Sequence, residues 1–248
     1  MKRAASAEKL VRASRRLAAA CERLLFHDPV RFVYNPLLYA RHAHELYIRV
    51  YGKGTKRVVF VGMNPGPWGM AQTGIPFGEV LAVRDWMGIH TSVKPPQKTH
   101  QRLAILGFDC RRSEVSGSRL WSLIQGRYGK PARFFRSHFV VNYCPLLFLD
   151  ASGRNLTPDK ISKLDRLALE RECDAHLRAV VAALNPVWLV GIGRFAQRRL
   201  EAIQHEAGWK AVTVLGVPHP SPASPQANRD WARRVTEVLC DAGVWRRK

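Results

Sequence analysis

The stretch from Arg57 to Val80, RVVFVGMNPGPWGMAQTGIPFGEV, limits what this chain can fold into more than any other. Val58, Val59, Phe60 and Val61 form a continuous apolar, largely β-branched run, the pattern of a strand buried in a parallel sheet. The run then meets Gly62, Pro65, Gly66, Pro67, Gly69 and Gly74, a density of breakers that neither helix nor strand survives. A long loop leaving the C-terminal end of a buried strand is where open α/β sheets hold their ligands. Its glycines let backbone approach a ligand closely, and its prolines hold the loop still. Asn64 at the mouth and Phe77 near the end add one amide and one aromatic, a pair suited to a flat polar heterocycle. The same composition also serves a plain connection. The stretch matches neither G-x-x-x-x-G-K-[ST] nor G-x-G-x-x-G, so its chemistry has to come from elsewhere in the chain.

The remainder alternates helix and strand. Residues 6–25 read as a basic amphipathic helix, with Leu10, Leu17, Leu24 and Leu25 near one face and Lys9, Arg12, Arg15, Arg16 and Arg23 around the rest. A second helix follows at about Leu38 to Val50 and a short one from Glu79 to Met87. Thr91 to His100 is a polar, Pro-rich loop, Leu103 to Asp109 a short apolar element, and Ser118 caps a helix to about Gly126. Phe139 to Tyr143 is the second buried strand, followed by a turn over 150–157. Thr157-Pro158-Asp159 opens a helix to about Leu184. Val187 to Ile192 and Val212 to Val217 are the third and fourth strands, separated by a helix from about Phe195 to Ala207. A helix from Gln226 to Cys240 closes the chain.

This order predicts a three-layer α/β/α sandwich around a central, mainly parallel four-stranded sheet. The expected organisation is a basic N-terminal helix or extension, residues 1–25, and a single domain over 26–248. Right-handed crossovers bring all four strand C-termini to one edge, and Asn64, Asn142 and His219 all sit at such ends.

Composition narrows the partner. Forty Lys and Arg face 19 Asp and Glu, a formal charge of +21, which favours a polyanion: nucleic acid first, an anionic membrane surface second. Cys21, Cys110, Cys144, Cys173 and Cys240 are odd in number and form no C-x-x-C pair. That argues against a zinc or iron–sulfur site and against a secreted disulfide framework, and for a reducing intracellular compartment. No apolar run reaches transmembrane length, and the N-terminus lacks the apolar core of a secretory signal. Neither metal nor cofactor is expected.

Four side chains carry the candidate chemistry. The Asn142 amide sets a donor beside an acceptor. Uracil offers an acceptor at O4 beside a donor at N3, and cytosine offers the reverse, so a pinned amide accepts one and leaves buried groups unpaired with the other. The alternative for Asn142 is a turn-capping amide. His219, held between Pro218 and Pro220, can donate an imidazole N–H to an oxygen gaining negative charge, or be an ordinary surface histidine. Asn64 is no strong base, but its carbonyl can orient a water. Phe77 can stack on a base or fill the core.

Here the residues reach a resemblance. Gly62 to Val80, GMNPGPWGMAQTGIPFGEV, closely resembles the first motif of the single-strand-selective monofunctional uracil-DNA glycosylases. NYCPL from Asn142 to Leu146 resembles that family's middle motif, and HPSPASPQAN from His219 to Asn228 its last, in the family's order. The resemblance covers about Phe26 to Trp231 and implies the uracil-glycosylase fold. It implies that Asn64 positions the catalytic water and that His219 stabilises the uracil anion at O2. Asn142 would read the base, Phe77 stack on it, and Met63 lend a backbone contact. Pro220, Ser221, Pro222, Ala223, Ser224, Pro225, Gln226, Asn228 and Arg229 would belong to a wedge that enters duplex DNA and fills the space of the extruded base.

Two departures from other uracil glycosylases matter. Asn64 stands for the Asp of their Gly-Gln-Asp-Pro-Tyr motif, so water activation is weaker and leaving-group stabilisation carries more. Gly66 stands for the Tyr that blocks a 5-methyl group, leaving room near C5 for 5-hydroxymethyluracil. Trp68 stands where animal members have Phe. No lysine sits in a motif, so no Schiff base and no strand cleavage by lyase chemistry are expected. The expectation is a monomeric, monofunctional glycosylase. It excises uracil and 5-hydroxymethyluracil from single- and double-stranded DNA in base-excision repair, located in the cytoplasm or nucleoid of a bacterium or the nucleus of a eukaryote. The rivals are a same-fold glycosylase for hypoxanthine or xanthine, and a non-catalytic binder of damaged or single-stranded DNA.

Overall fold

The computed structural model describes residues 2–222 and 229–247. In chain order the elements are α1 (Lys2–Glu22), β1 (Phe32–Tyr34), α2 (Pro36–Tyr39), α3 (Arg41–Tyr51), β2 (Val58–Gly62), α4 (Met70–Thr73), α5 (Val115–Tyr128) and α6 (Pro131–Phe135). Then follow β3 (His138–Asn142), β4 (Leu147–Leu149), β5 (Asn155–Leu156), α7 (Lys163–Leu184), β6 (Trp188–Ile192), α8 (Arg194–Glu206), β7 (Thr213–Val217) and α9 (Trp231–Asp241).

The four strands expected from sequence form one parallel sheet in the order β3-β2-β6-β7. Every residue of β2 and β3 is buried, so both faces of these two strands are covered, which is why they read as unbroken apolar runs. Of the two edge strands, β3 is covered and β7 is largely half-exposed. The chain leaves β2 for β3 on one side and β6 for β7 on the other. The crevice at the C-terminal ends of the adjacent β2 and β6 is therefore a topological switch point, the ligand position of open α/β sheets. α1 lies along α7 and α3, with Leu10, Val11, Leu17 and Cys21 buried in the main core.

Several local expectations are corrected. The first helix ends at Glu22 rather than residue 25. The second helix is two, broken at Ala40, whose angles (φ −107°, ψ 23°) leave the helical range. The Glu79–Met87 segment is a π-helical turn at Ala82–Trp86, closed by Met87 N–H donating to Ala82 O at 3.0 Å. α5 begins at Val115 and not at Ser118, because Ser118 N–H already donates to Glu114 O, one helical turn back. Thr157-Pro158 starts only a 3₁₀ turn, Pro158–Lys160, which extended Ile161 ends. Ser162 then caps α7, its Oγ accepting from Asp165 N–H at 3.1 Å. The 150–157 turn is tight at Asp150–Gly153 and then becomes β5. With β1 and β4 this makes a second, antiparallel three-stranded sheet that the pattern did not announce. α9 begins at Trp231, and the expected start of that helix at Gln226 lies outside the described residues.

Candidate active site

The site grows from the β2–β3 edge. Gly62 lies opposite Asn142 in register, and the two strands continue as paired loops: Tyr143 N–H donates to Gly62 O and Cys144 N–H to Met63 O, each at 2.9 Å. Asn64 Nδ2 donates to Leu146 O at 3.3 Å. Because that partner is a carbonyl, the bond fixes which end of the amide is nitrogen. Asn64 Oδ1 is thereby the acceptor end, suited to hold a water.

Phe77 is set by unusual backbone. Its φ is 53°, in the left-handed region that costs a non-glycine residue about 1 kcal/mol or more. Its carbonyl accepts from Trp121 Nε1 at 2.9 Å and from Glu79 N–H at 2.7 Å. Gly117 lets α5 approach this peptide closely: a Cβ there would lie 3.1 Å from the Phe77 carbonyl carbon. The buried Phe77 ring faces His219 at a centroid distance of 6.1 Å and a tilt of 39°.

His219 follows β7. Ser221 N–H donates to its Nδ1 at 3.1 Å, so in the neutral ring the proton sits on Nε2. Burial lowers its pKa to about 4, which keeps the imidazole neutral at pH 7 and a donor through Nε2. Gly193, at φ 89° after β6, gives the ring its berth: a Cβ there would lie 3.1 Å from His219 Cβ. Both stems of the following segment are tied down. Trp231 Nε1 donates to Pro218 O at 2.8 Å, and Arg119 donates to Pro220 O at 2.9 Å.

Asn142 is the least satisfied polar side chain of the site. It is 8% exposed, its Nδ2 meets only the Met70 thioether at 3.2 Å, and among the described residues its Oδ1 accepts no hydrogen bond. A buried amide with both ends under-used is matched by a ligand bringing one donor and one acceptor.

A cavity of about 250 Å³ unites these groups, with Met63, Asn64, Gly66, Phe77, Asn142, His219 and Ser221 in its wall. Pro65, Pro67 and Met70 also line it, as do Glu114, Ser116, Asn155 and Thr157. Sequence reasoning passed over these four: Asn155 and Thr157 arrive through the second sheet, and Glu114 stood one residue before a helix whose start was misplaced. The side of Gly66 is not open space. The Glu114 carboxyl lies against it, and a Cβ on Gly66 would sit 2.7 Å from Glu114 Cδ. Trp68 N–H donates to Glu114 Oε2 at 3.2 Å, and the Arg112 guanidinium stacks over the Trp68 ring at 4.0 Å. Of the proposed wedge, Pro220 is buried, Ser221 half-buried, and Pro222 and Arg229 exposed; Ala223, Ser224, Pro225, Gln226 and Asn228 lie outside the described residues.

Among the described residues no three or more His, Cys, Asp or Glu side chains cluster as a metal site would need, and the five cysteines are free thiols. Among them, too, no helix is long and apolar enough to cross a membrane.

The model of the uracil DNA glycosylase superfamily matches residues 49–241. The chain belongs to the uracil-DNA glycosylase superfamily. Within it, the rat single-strand selective monofunctional uracil-DNA glycosylase is 47% identical over 239 residues, covering 96% of this chain and 85% of that one. The mouse protein of the same description is 46% identical over 239 residues with the same coverage, and the Bos taurus protein 44% over 242 residues, 96% of this chain and 87% of that one. This glycosylase fold is also that of wild-type SMUG2 from Pedobacter heparinus, whose crystal structure superposes with a TM-score of 0.70 over 96% of this chain and 97% of that chain. At 18% identity that likeness speaks to the fold alone. Among the described residues, Asn64, Gly66 and Phe77 of the first motif, Asn142 of the middle one, and His219 and Ser221 of the last line the cavity.

Proposed function

We propose that the protein is a monofunctional uracil-DNA glycosylase of base-excision repair, acting on uracil and 5-hydroxymethyluracil in DNA. The observation that carries this is the meeting of Asn64, Phe77, Asn142 and a neutral, Nε2-protonated His219 around one cavity. The target nucleotide leaves the stack and its base enters the cavity. Phe77 covers one face of the ring. The Asn142 amide donates to O4 and accepts from N3–H, ending its unpaired state, whereas cytosine presents the opposite pattern.

Hydrolysis breaks the bond between N1 and the sugar C1′. As that bond lengthens, its electron pair goes to the base, whose charge spreads onto O2 and O4, and C1′ becomes oxocarbenium-like. His219 Nε2–H donates to O2 and holds the developing anion. Removing one such donor costs about 10²–10³ in rate in comparable sites. A water held by Asn64 Oδ1 adds to C1′ and loses a proton, and the uracil anion is protonated on release. The products are free uracil and an abasic sugar. No step uses a lysine amine, so the strand stays intact. The +21 charge supplies phosphate affinity that weakens with salt.

The test is an end-labelled oligonucleotide carrying one uracil, incubated with the protein and divided, with only one half treated with hot alkali. Cleavage in the alkali half alone is the expected result. Cleavage in both halves overturns the monofunctional assignment. Cleavage in neither, at low salt with binding demonstrated, overturns the uracil reading and favours a deaminated purine substrate or a pure binder.

A further inference from the structure

Helix α1 carries its charge unevenly. Arg15 bridges Glu45 at 2.7 Å and Glu8 bridges Arg49, so its side toward α3 is neutralised. Lys9, Arg12 and Arg16 occupy the adjoining side, toward α7. All three are exposed, and no salt bridge to any of them occurs among the described residues. At spacings of three, four and seven residues they share one face of the helix, where like charges repel. With Ala179, Ala182 and Ala183 of α7 they wall a hollow of about 290 Å³ that holds neither acid nor aromatic. Arg16 also lines a neighbouring hollow of about 180 Å³, whose acid, Glu172, is engaged by Arg171 at 3.3 Å. This groove stands apart from the base cavity. Ser6 Oγ donates to Gly52 O at 3.0 Å just ahead of β2, and Lys56 N–H donates to Leu184 O at 2.8 Å. These ends of α1 and α7 therefore lie at the N-terminal ends of the strands. The cavity opens at the C-terminal ends, about 17 Å away along a five-residue strand, and no residue lines both.

We propose that the α1–α7 groove is a second nucleic-acid site, which holds the phosphate backbone of a duplex DNA segment other than the one whose base is in the cavity. Charge and spacing both fit that occupant. Lys9 to Arg16 spans seven helical steps of about 1.5 Å each, about 10 Å in all. Over that length one strand of duplex DNA carries about three phosphates, one for each cation. The alanines opposite let a backbone come close and offer no ring on which a base could stack. Recognition is therefore of charge alone, with no sequence preference and no need for unpaired bases. A bound polyanion also relieves the repulsion among the three like charges. With sites at opposite ends of the sheet, the protein grips a new duplex before it lets go of the old one. Its use of this hand-over in the search for damaged bases rests on the uracil reading of the cavity; the groove's affinity for a duplex does not.

The experiment preloads the protein on a short fluorescein-labelled, uracil-free duplex and challenges it with rising excess of the same duplex unlabelled. Anisotropy reads the exchange rate without calling on catalysis. Exchange by direct hand-over quickens with challenger concentration, whereas exchange through free protein does not. The natural protein is compared with a triple variant, Lys9→Gln, Arg12→Gln and Arg16→Gln. A control triple, Lys130→Gln, Arg133→Gln and Arg136→Gln, removes equal charge from exposed residues in and beside α6. Expected are rates that rise in proportion to challenger in the natural protein and the control, and a flat rate in the α1 triple variant, about tenfold or more slower at the highest concentration. Single-turnover uracil release by the α1 variant stays within twofold of the natural rate, which shows its fold and cavity intact. A rate that rises as steeply in the α1 variant as in the natural protein overturns the proposal. So does a natural rate indifferent to challenger, and so does an equal loss in the control, which makes the effect one of bulk charge. Unchanged hand-over with lost retention on immobilised poly-glutamate overturns it in favour of an acidic protein segment. If the natural protein releases no uracil, the cavity reading fails alone, and the exchange rates still decide the groove.

Discussion

Trp121 Nε1 donates to the Phe77 carbonyl at 2.9 Å, and Phe77 is one of three described non-glycine residues with positive φ. The Phe77 ring is thus aimed by a strained peptide that α5 holds from behind. Trp121 is fully buried, packed among Phe134, Phe135 and Trp86, so its position does not yield. Trp121→Phe keeps most of that packing and removes the donor. The Phe77 carbonyl retains Glu79 N–H, so the stability cost is about 1 kcal/mol. The expected catalytic effect is larger than the thermal one: Phe77 relaxes toward ordinary angles, and single-turnover uracil release falls by about tenfold or more while Tm falls by a few degrees. Rates unchanged within twofold would mean that the Phe77 conformation does not depend on this bond.

Gly62 sits where the Phe77 and Asn142 side chains converge. A Cβ there would lie 2.5 Å from Phe77 Cε2 and collide with Asn142 Oδ1. Gly62→Ala therefore cannot be absorbed by one flexible side chain: Phe77, Asn142 or the strand end has to move. Overpacking of this kind costs about 1–3 kcal/mol of stability. Because both displaced groups line the cavity, excision of uracil is expected to drop by about 10²-fold, the effect of an ångström-scale misplacement. Gly126→Ala is the control, since a Cβ there meets nothing within 4 Å and the residue lies in the same fold away from the cavity. Equal activity in the two variants would refute the crowding argument.

What the sequence disclosed and what it withheld divide along a physical line. Buried parallel strands announce themselves because both faces are apolar, and β2, β3, β6 and the half-exposed β7 were all placed to within a residue or so. Asn64, Asn142 and His219 were legible because each stands at the C-terminal end of such a strand, where chain topology alone dictates convergence. Glu114, Trp121, Asn155 and Thr157 follow no buried strand. They reach the cavity or its support through tertiary packing, and a lone Glu or Trp before or within a helix has no periodicity to betray it. The second sheet escaped because its strands are two or three residues long, too short for alternation to show. Gly117 was one available hint: a glycine early in a helix signals that something passes close by, here the Phe77 peptide.

Four histidines make stability depend on pH in a definite direction. Burial lowers the pKa values of His44, His138, His176 and His219 to about 4 each. Two of them show how the fold uses the neutral ring: His44 Nδ1–H donates to Gly74 O at 2.7 Å, and His138 Nε2 accepts from Trp245 Nε1 at 3.2 Å. In the unfolded chain a histidine titrates near 6.5, so between about 6.5 and 4 the unfolded state binds protons that the folded state refuses. The contribution of these groups is present in full above pH 6.5 and is lost as pH falls through that window. Glu114, with its raised pKa, acts in the opposite sense, gaining folded-state preference as it protonates, but it is one group against four. Tm is therefore expected to fall steadily from pH 7 to pH 5, a range above that in which ordinary carboxylates titrate. The single-turnover rate of uracil release, measured over the same range below the unfolding temperature, is expected to show no inflection near 6.5, because His219 stays neutral throughout. A Tm that is flat or rises on acidification would contradict the buried neutral histidines. A rate that titrates near 6.5 and loses this inflection in His219→Ala would contradict the neutral donor assigned to O2.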